Sequence, residues 1–278
     1  MKLSQFYIDD IIKKAISEDI NYLDVTTDYL IDENAETTAY FVSKDDGVLC
    51  GIDIAMRVFE LLDDGISYKI HKYDGDTVLK GDLIAEMSGN AAALLKGERT
   101  ALNLLQHLSG IATATNRCVK LVEGTRASVA ETRKTLPGLR ALQKYAVTVG
   151  GGKNHRFNLS DAAMIKDNHI DACGGILNAV STFRSKAGHM LKVEVEVRNF
   201  EELEQALLAG ADVIMLDNMT CEQMSEAVKI INGRAKTEAS GNITLENIAD
   251  VAETGVDIIS LGALTHSVKA FDISMKIK

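Results

Sequence analysis

Arg133 and Lys134 stand side by side in the run Glu131-Thr-Arg-Lys-Thr-Leu-Pro-Gly138. His155 and Arg156 follow Asn154 directly after the glycine run Gly150-Gly151-Gly152-Lys153. A guanidinium grips a carboxylate or phosphate through two parallel hydrogen bonds, and an ammonium acts as a point charge. Adjacent cations on a loop can both turn toward one anion; ordinary solvated side chains are the alternative. Glycines permit close backbone approach, so the second run is either a plain loop or an anion cradle. Lys166 ends an apolar run at Ile165-Lys-Asp-Asn-His169. It suits a Schiff-base nucleophile if desolvated, or an anion ligand. Glu196 and Asp217 each close a later apolar run. Such a pair can hold Mg²⁺ through waters, stabilise developing positive charge, or form a buried ion pair. Ser240-Gly241-Asn242 and Gly262-Ala263-Leu264 are glycine turns. They either offer backbone N–H groups to a phosphate or simply reverse the chain.

The cations share a basic stretch. Lys96 to Lys166 holds twelve Lys and Arg against four Asp and Glu, a balance of +8, in a chain whose net charge is -10. This points to a local anion site or to scattered surface charge. The acidic remainder disfavours nucleic acid and anionic membranes as partners. With 278 residues, 46% hydrophobic and 25% charged, the chain suits one large folded domain or two moderate ones. Cys50, Cys118, Cys173 and Cys221 form no C-x-x-C pair, so zinc ribbons and thioredoxin-like chemistry are not expected. Met1 to Ile20 is amphipathic and contains acids, unlike a signal peptide. No apolar run approaches the ~18–20 residues that span a bilayer. A cytoplasmic protein is expected.

These residues need elements to hold them. Helical spacing marks Leu3–Ser17, with Ser4 as N-cap, then Ile52–Leu62 and Gly97–Thr115, the last weakened by Gly110. Short strands are expected at Thr37–Val42 and Gly47–Leu49, and a turn-rich β segment at Tyr73–Met87. From Ala127 onward strands alternate with helices: Ala127–Thr132, Ala162–Lys166, Leu191–Val197, Val213–Asp217, Ala235–Ala239 and Ile258–Leu261. Asn199-Phe-Glu-Glu202 and Thr220-Cys-Glu-Gln223 have the form of capping boxes. Gly210 and Gly255 suit helix C-caps, each followed by Ala/Val-Asp and a strand. The repeat implies a parallel α/β sheet. In Lys192-Val-Glu-Val-Glu-Val197 the valines point one way and the acids the other. Both faces of an open doubly wound sheet are covered and apolar. Glu194 and Glu196 facing an interior instead suit a short or incomplete barrel, which places chemistry at its strand C-terminal ends.

Several runs together resemble the quinolinate phosphoribosyltransferase family: Glu98-Arg-Thr-Ala-Leu-Asn103, His107-Leu-Ser-Gly-Ile-Ala-Thr113, Thr132-Arg-Lys-Thr135, Pro137-Gly-Leu-Arg140, Lys144-Tyr-Ala146, Asn154-His-Arg156, Ile165-Lys-Asp-Asn-His-Ile170 and Leu261-Gly-Ala-Leu-Thr-His-Ser267. The resemblance covers most of the chain and is densest from Gly97 to Ile170. It implies an N-terminal α/β sandwich over 1–110 and a six-stranded, incomplete TIM-like α/β barrel over 111–278, with the final segment able to pack back on the first domain. It implies a homodimer with active sites shared between subunits, Arg99 reaching the substrate across the interface. Arg133, His155, Arg156 and Lys166 would hold the two carboxylates of quinolinate. Lys134, Glu196 and Asp217 would be the catalytic group, serving phosphoribosyl pyrophosphate and its Mg²⁺, with Glu196 and Asp217 as the metal-side residues. Ser240, Gly241, Gly262 and Ala263 would hold the 5′-phosphate. Glu131, where Asp or a small residue is frequent, and Asn242, in place of a common Gly, depart from the pattern.

The implied reaction moves phosphoribosyl onto the pyridine nitrogen with loss of CO₂ and pyrophosphate, giving nicotinate mononucleotide for NAD biosynthesis. The readings kept beside it are a related phosphoribosyltransferase of molybdenum-transport operons, a Schiff-base lyase using Lys166, and a non-catalytic sensor of phosphorylated sugars.

Overall fold

The computed structural model describes residues 3–278, so Met1 and Lys2 of the N-terminal stretch lie outside the described residues. The chain forms two compact units. One takes the chain up to Asn116 together with Thr135–Gly151 and Leu264–Lys278; the other is Arg117–Lys134 with Gly152–Ala263.

The first unit begins α1 (Gln5–Asp19), α2 (Thr27–Leu30), β1 (Glu36–Ser43), β2 (Gly47–Val48), α3 (Ile52–Leu62), β3 (Ser67–Ile70), β4 (Thr77–Val78) and β5 (Leu83–Asn90). Ser4 is the N-cap residue of α1, but its side chain makes no capping hydrogen bond. Along β1, Ala39, Phe41 and Ser43 are buried on alternate positions, as the two-residue period of a strand requires. Phe41 meets Phe59 of α3, with ring centroids 6.0 Å apart at 51°. The antiparallel sheet runs β12-β1-β5-β3, and its last member in sequence, β12 (Ile273–Ile277), pairs with β1 from Ala39↔Ile277 to Ser43↔Ile273. Ser67–Ile70 and Ile273–Ile277 are not among the expected strands, although both alternate polar and apolar residues: Tyr68 and Ile70 in the first, and Ile273, Met275 and Ile277 in the second. Three of the four β3 residues are exposed, and pairing with β5 makes β3 a strand.

The helix expected over Gly97–Thr115 is α4, Ala91–Leu121. It runs through Gly110 unbroken. A Cβ there would lie 2.3 Å from the Lys269 carbonyl oxygen, so this glycine admits the returning C-terminal segment. The segment is fixed by Phe271 N–H donating to the Gln106 carbonyl at 3.0 Å and Gln106 Nε2 donating to the Ile273 carbonyl at 2.7 Å.

The second unit holds the strand–helix repeat. In chain order come β6 (Ser128–Ala130), α5 (Arg140–Val149, part of the first unit), β7 (Ala163–Ile165), α6 (Asp167–Cys173), α7 (Ile176–Lys186), β8 (Val193–Val197), α8 (Phe200–Leu208), β9 (Val213–Asp217), α9 (Cys221–Ile231), β10 (Lys236–Ser240), α10 (Ile248–Glu253), β11 (Ile258–Ser260) and α11 (Ala263–His266, in the first unit from Leu264 onward). The strands pair in parallel in the order β6-β11-β10-β9-β8-β7. The first strand pairs with the last, and the order never reverses. A doubly wound sheet reverses at a switch point; a steady progression of right-handed crossovers is that of a barrel. The barrel is incomplete between β6 and β7, where the chain departs through Thr135–Gly151 into the first unit. On return, only an isolated parallel bridge, Ala130↔Lys153, extends the β6 edge.

The Gly-Ala/Val-Asp repeats have a shared structural use. Gly210 (φ 74°) and Gly255 (φ 87°) end their helices in the left-handed region. The aspartate two residues on then accepts an N–H at the start of the preceding strand: Asp212 Oδ2 from Val193, the first residue of β8, at 2.7 Å, and Asp257 Oδ2 from Thr237, the second of β10, at 2.9 Å. Thr220 and Gln223 form a full capping box. Asn199 caps Glu202, but Glu202 reaches back to Arg198 N–H rather than to Asn199.

Among the described residues, no helix is long and apolar enough to cross a membrane.

Candidate functional site

Register decides which side chains meet. Residues paired across a parallel ladder point to the same face. The pairs Met164↔Glu194, Glu196↔Met215, Glu238↔Met215 and Ser240↔Asp217 therefore place these residues on one face of the sheet. Val193, Val195 and Val197 take the other face and are fully buried. The acids of β8 face the barrel interior, as the alternation in the sequence implies.

The interior is organised in two depths. Nearer the C-terminal strand ends, Lys166 Nζ is ion-paired with Glu196 Oε2. Asp217, ending β9, accepts a hydrogen bond from Asn218 Nδ2 at 2.8 Å. One step deeper, His155 Nε2 lies 3.2 Å from Glu194 Oε2 and 3.4 Å from Glu238 Oε1. Burial opposes charge on this imidazole, while Glu194 and Glu238 favour it. His155 Nδ1 accepts the Arg156 amide hydrogen at 2.7 Å, which requires a free lone pair on Nδ1. In the neutral ring that hydrogen bond places the proton on Nε2, toward the carboxylates. Burial raises the Glu194 carboxyl above its ordinary range, opposed by its bond to His155.

Arg156 and Arg133 share one region. Burial first, then the positive charge of Arg133, lowers the Arg156 pKa. Arg156 Nη1 donates to the Ala162 carbonyl at 2.8 Å. Arg133 Nε is buried without an acceptor. A buried, unmet donor beside a like-charged neighbour is costly unless an anion completes it. Lys134 is exposed, and its amide donates to Thr132 Oγ1 at 3.1 Å.

The loop after β10 explains a departure noted in the sequence. Gly241 has φ 95° and Asn242 φ 50°, two consecutive left-handed residues after Ser240. Asparagine tolerates this region better than other side chains, so Asn242 retains the conformation that glycine would adopt. Asn242 Nδ2 donates to Asn218 Oδ1 at 3.0 Å, linking this turn to Asp217 through Asn218. A Cβ on Gly241 would lie 2.2 Å from Asn218 Oδ1. Gly262 and Ala263 lie directly after β11, where α11 starts.

Arg99 lies elsewhere, exposed on α4 in the first unit, with Nη1 3.5 Å from Asn103 Oδ1. Every other expected site residue belongs to the second unit. Gly150 serves packing: a Cβ there would lie 2.4 Å from the Ala112 carbonyl oxygen, so this glycine lets α5 pack closely on α4. Reading by motif missed Glu238. It lies two residues before Ser240 on the same face, a parity visible in Lys236-Thr-Glu-Ala-Ser240.

Glu196 and Asp217 fit Mg²⁺ chemically. They are hard oxygen donors at the ends of adjacent strands, and each is engaged through only one of its oxygens. Mg²⁺ is commonly held by one or two carboxylates together with substrate phosphates.

Known proteins match this chain over nearly its whole length. The family model described as quinolinate phosphoribosyl transferase, C-terminal domain, matches residues 111–276, and that of the N-terminal domain matches residues 24–109. A probable nicotinate-nucleotide pyrophosphorylase [carboxylating] of Bacillus subtilis is 50% identical over 260 residues, covering 94% of this chain and 90% of that protein. The chloroplastic nicotinate-nucleotide pyrophosphorylase [carboxylating] of Arabidopsis thaliana is 44% identical, over 96% of this chain and 82% of its own. The crystal structure of NadC from Streptococcus pyogenes superposes with a TM-score of 0.97 at 44% identity, covering 100% of this chain and 99% of that one. With both halves of the chain matched in order and with relatives this similar across nearly its whole length, the chain belongs to the quinolinate phosphoribosyl transferase family.

Proposed function

We propose that this protein transfers the phosphoribosyl group of phosphoribosyl pyrophosphate to quinolinate with decarboxylation, yielding nicotinate mononucleotide, CO₂ and pyrophosphate for NAD biosynthesis. The carrying observation is the crowding of Arg133 and Arg156, with the Arg133 Nε buried and unmet. Two guanidiniums suit two carboxylates on one ring. Arg133 and Arg156, with His155 and Lys166, bind that dianion. Ser240, Gly241, Gly262 and Ala263 hold the 5′-phosphate, and Lys134 the pyrophosphate. As the C1–O bond breaks, positive charge develops on the ribose; the carboxylates of Glu196 and Asp217 favour it, a contact of the kind typically worth ~3–4 kcal/mol of barrier. Bound Mg²⁺ supplies charge neutralisation to the departing pyrophosphate. The ring nitrogen bonds to C1 as pyrophosphate leaves; the pyridinium so formed stabilises the electron pair left on C2 when its carboxylate departs as CO₂, and a proton from solvent completes C2. Lys166, ion-paired and 44% exposed, lacks the dry pocket that an amine nucleophile needs.

The protein acts in the cytoplasm as a homodimer, with Arg99 entering the partner's site. Large apolar side chains left exposed on the first unit support assembly: Phe6 at 91%, Tyr22 at 89%, Tyr29 and Leu30 at 75%. The test is incubation with quinolinate, phosphoribosyl pyrophosphate and Mg²⁺, reading CO₂ and the mononucleotide. Turnover is expected; its absence under those conditions defeats the reading.

A further inference from the structure

We propose that Glu194 and Glu238 are positioning residues for the dicarboxylate end of the site, acting through His155 and the Arg156 backbone. The proposal rests on the reaction assigned above. Both carboxylates are buried, Glu194 at 5% and Glu238 at 2% exposure. Each lies one inward step below a mouth residue of its own strand, Glu194 beneath Glu196 and Glu238 beneath Ser240. A ligand at the mouth meets the upper residues, so these two act at one remove.

What they touch is His155. Its Nε2 lies between the two carboxylates at 3.2 and 3.4 Å. With the ring held from that side, Nδ1 accepts the Arg156 amide hydrogen. The guanidinium of Arg156 is fixed at its far end by the Ala162 carbonyl. Backbone and head group of Arg156 are therefore both anchored, beside an Arg133 whose positive charge opposes its own. Bringing two guanidiniums together needs compensating negative charge nearby. Glu194 supplies it from below, and its charge acts on Arg156 in the stabilising direction.

Fold stability alone does not account for this cluster. A buried carboxylate costs several kcal/mol to desolvate, and apolar replacements of similar shape often serve stability as well or better. Here Glu194 Oε1 accepts no hydrogen bond and Glu238 Oε1 is met by His155 Nε2 at a long 3.4 Å, so the carboxylates are incompletely repaid. The three ligand atoms lie within 4.8 Å of one another, close enough to hold a metal ion. The geometry favours a proton instead: the Arg156 amide occupies Nδ1 and leaves the ring hydrogen on Nε2, where a metal would have to bind.

Steady-state kinetics of the full-length protein test the assignment, varying quinolinate and phosphoribosyl pyrophosphate separately. Glu238→Ala is expected to raise the KM for quinolinate about tenfold or more, because small misplacements of binding groups are amplified. The KM for phosphoribosyl pyrophosphate should stay within about twofold, and Glu238→Gln, which keeps the shape and an acceptor oxygen, should recover most of the loss. If Glu238→Ala does not fold by circular dichroism, the double variant Glu194→Gln/Glu238→Gln carries the test, with the same split between substrates expected. Equal effects on both KM values, no effect on either, or failure of Glu238→Gln to rescue would overturn the proposal. So would a stoichiometric metal ion at these residues, read by elemental analysis of wild-type and Glu238→Gln protein. Wild type that turns over no quinolinate defeats the assigned reaction; wild-type turnover with unsplit variants defeats this proposal alone.

Discussion

At the scale of single residues, the site is defined by groups whose needs the protein leaves unmet. Arg133 is the sharpest instance, with a buried Nε that has no acceptor. Replacing it with Ala removes no internal hydrogen bond at that atom, so the thermal midpoint should change little. It should weaken quinolinate binding by roughly 1.5–3 kcal/mol, the range for hydrogen bonds to charged groups, or about ten- to a hundredfold in affinity. Calorimetric titration beside a melting curve checks both halves. Unchanged affinity would remove Arg133 from the site. Its place on an anion-binding loop was readable from residue type and context, and its grouping with Arg156 only from the family resemblance. The two acids beneath His155 were not readable, because nothing in a strand's local sequence says that a loop some forty or eighty residues away will set a histidine over it.

At the scale of elements, small features fix where strands begin and helices pass. Asp257 accepts from Thr237 N–H and Thr237 Oγ1 at 2.9 Å and pairs with Arg126 and Lys236. Burial pushes its carboxyl up, but these hydrogen bonds and cations outweigh it and hold the pKa well below the usual carboxylate range. A depressed pKa gives stability that is full above the unfolded value, near 3.8, and is lost as pH falls through the folded one. Asp257→Asn should therefore lower stability at neutral pH by roughly 1–2 kcal/mol, allowing for screening at the surface. The difference from wild type should shrink in acid; urea unfolding across pH reads it, and a constant difference down to strongly acidic pH would contradict it. Gly150→Ala tests helix contact instead. Its Cβ would fall 2.4 Å from the Ala112 carbonyl oxygen, and overpacking of this kind costs roughly 1–3 kcal/mol. A variant as stable as wild type in thermal melts would show that α4 and α5 can separate freely.

At the scale of the whole molecule, the outlying residue is Arg99, in the first unit while the remaining expected site residues share the second. If it serves a partner's site, mixing Arg99→Ala with Lys166→Ala should restore activity. Random exchange of equal amounts makes half the dimers hybrids with one intact site of two, so recovery should approach about a quarter of wild type. Mixed-variant assays with subunit exchange confirmed by native mass spectrometry read this. No recovery would place Arg99 outside a shared site.

The amino-acid sequence by itself determined the parts with a short period. Alternation in Lys192–Val197, glycine stops at Gly210 and Gly255 and the capping residues before α8 and α9 follow from φ/ψ limits and hydrogen bonding within a few residues, and they made the strand–helix repeat legible. Only the tertiary structure decided that the first barrel strand pairs with the last, that β3 pairs with β5 and β12 with β1, and that His155 comes to lie over Glu194 and Glu238. Those outcomes depend on which distant backbone and side-chain groups can satisfy one another, and that matching is settled when the chain closes on itself.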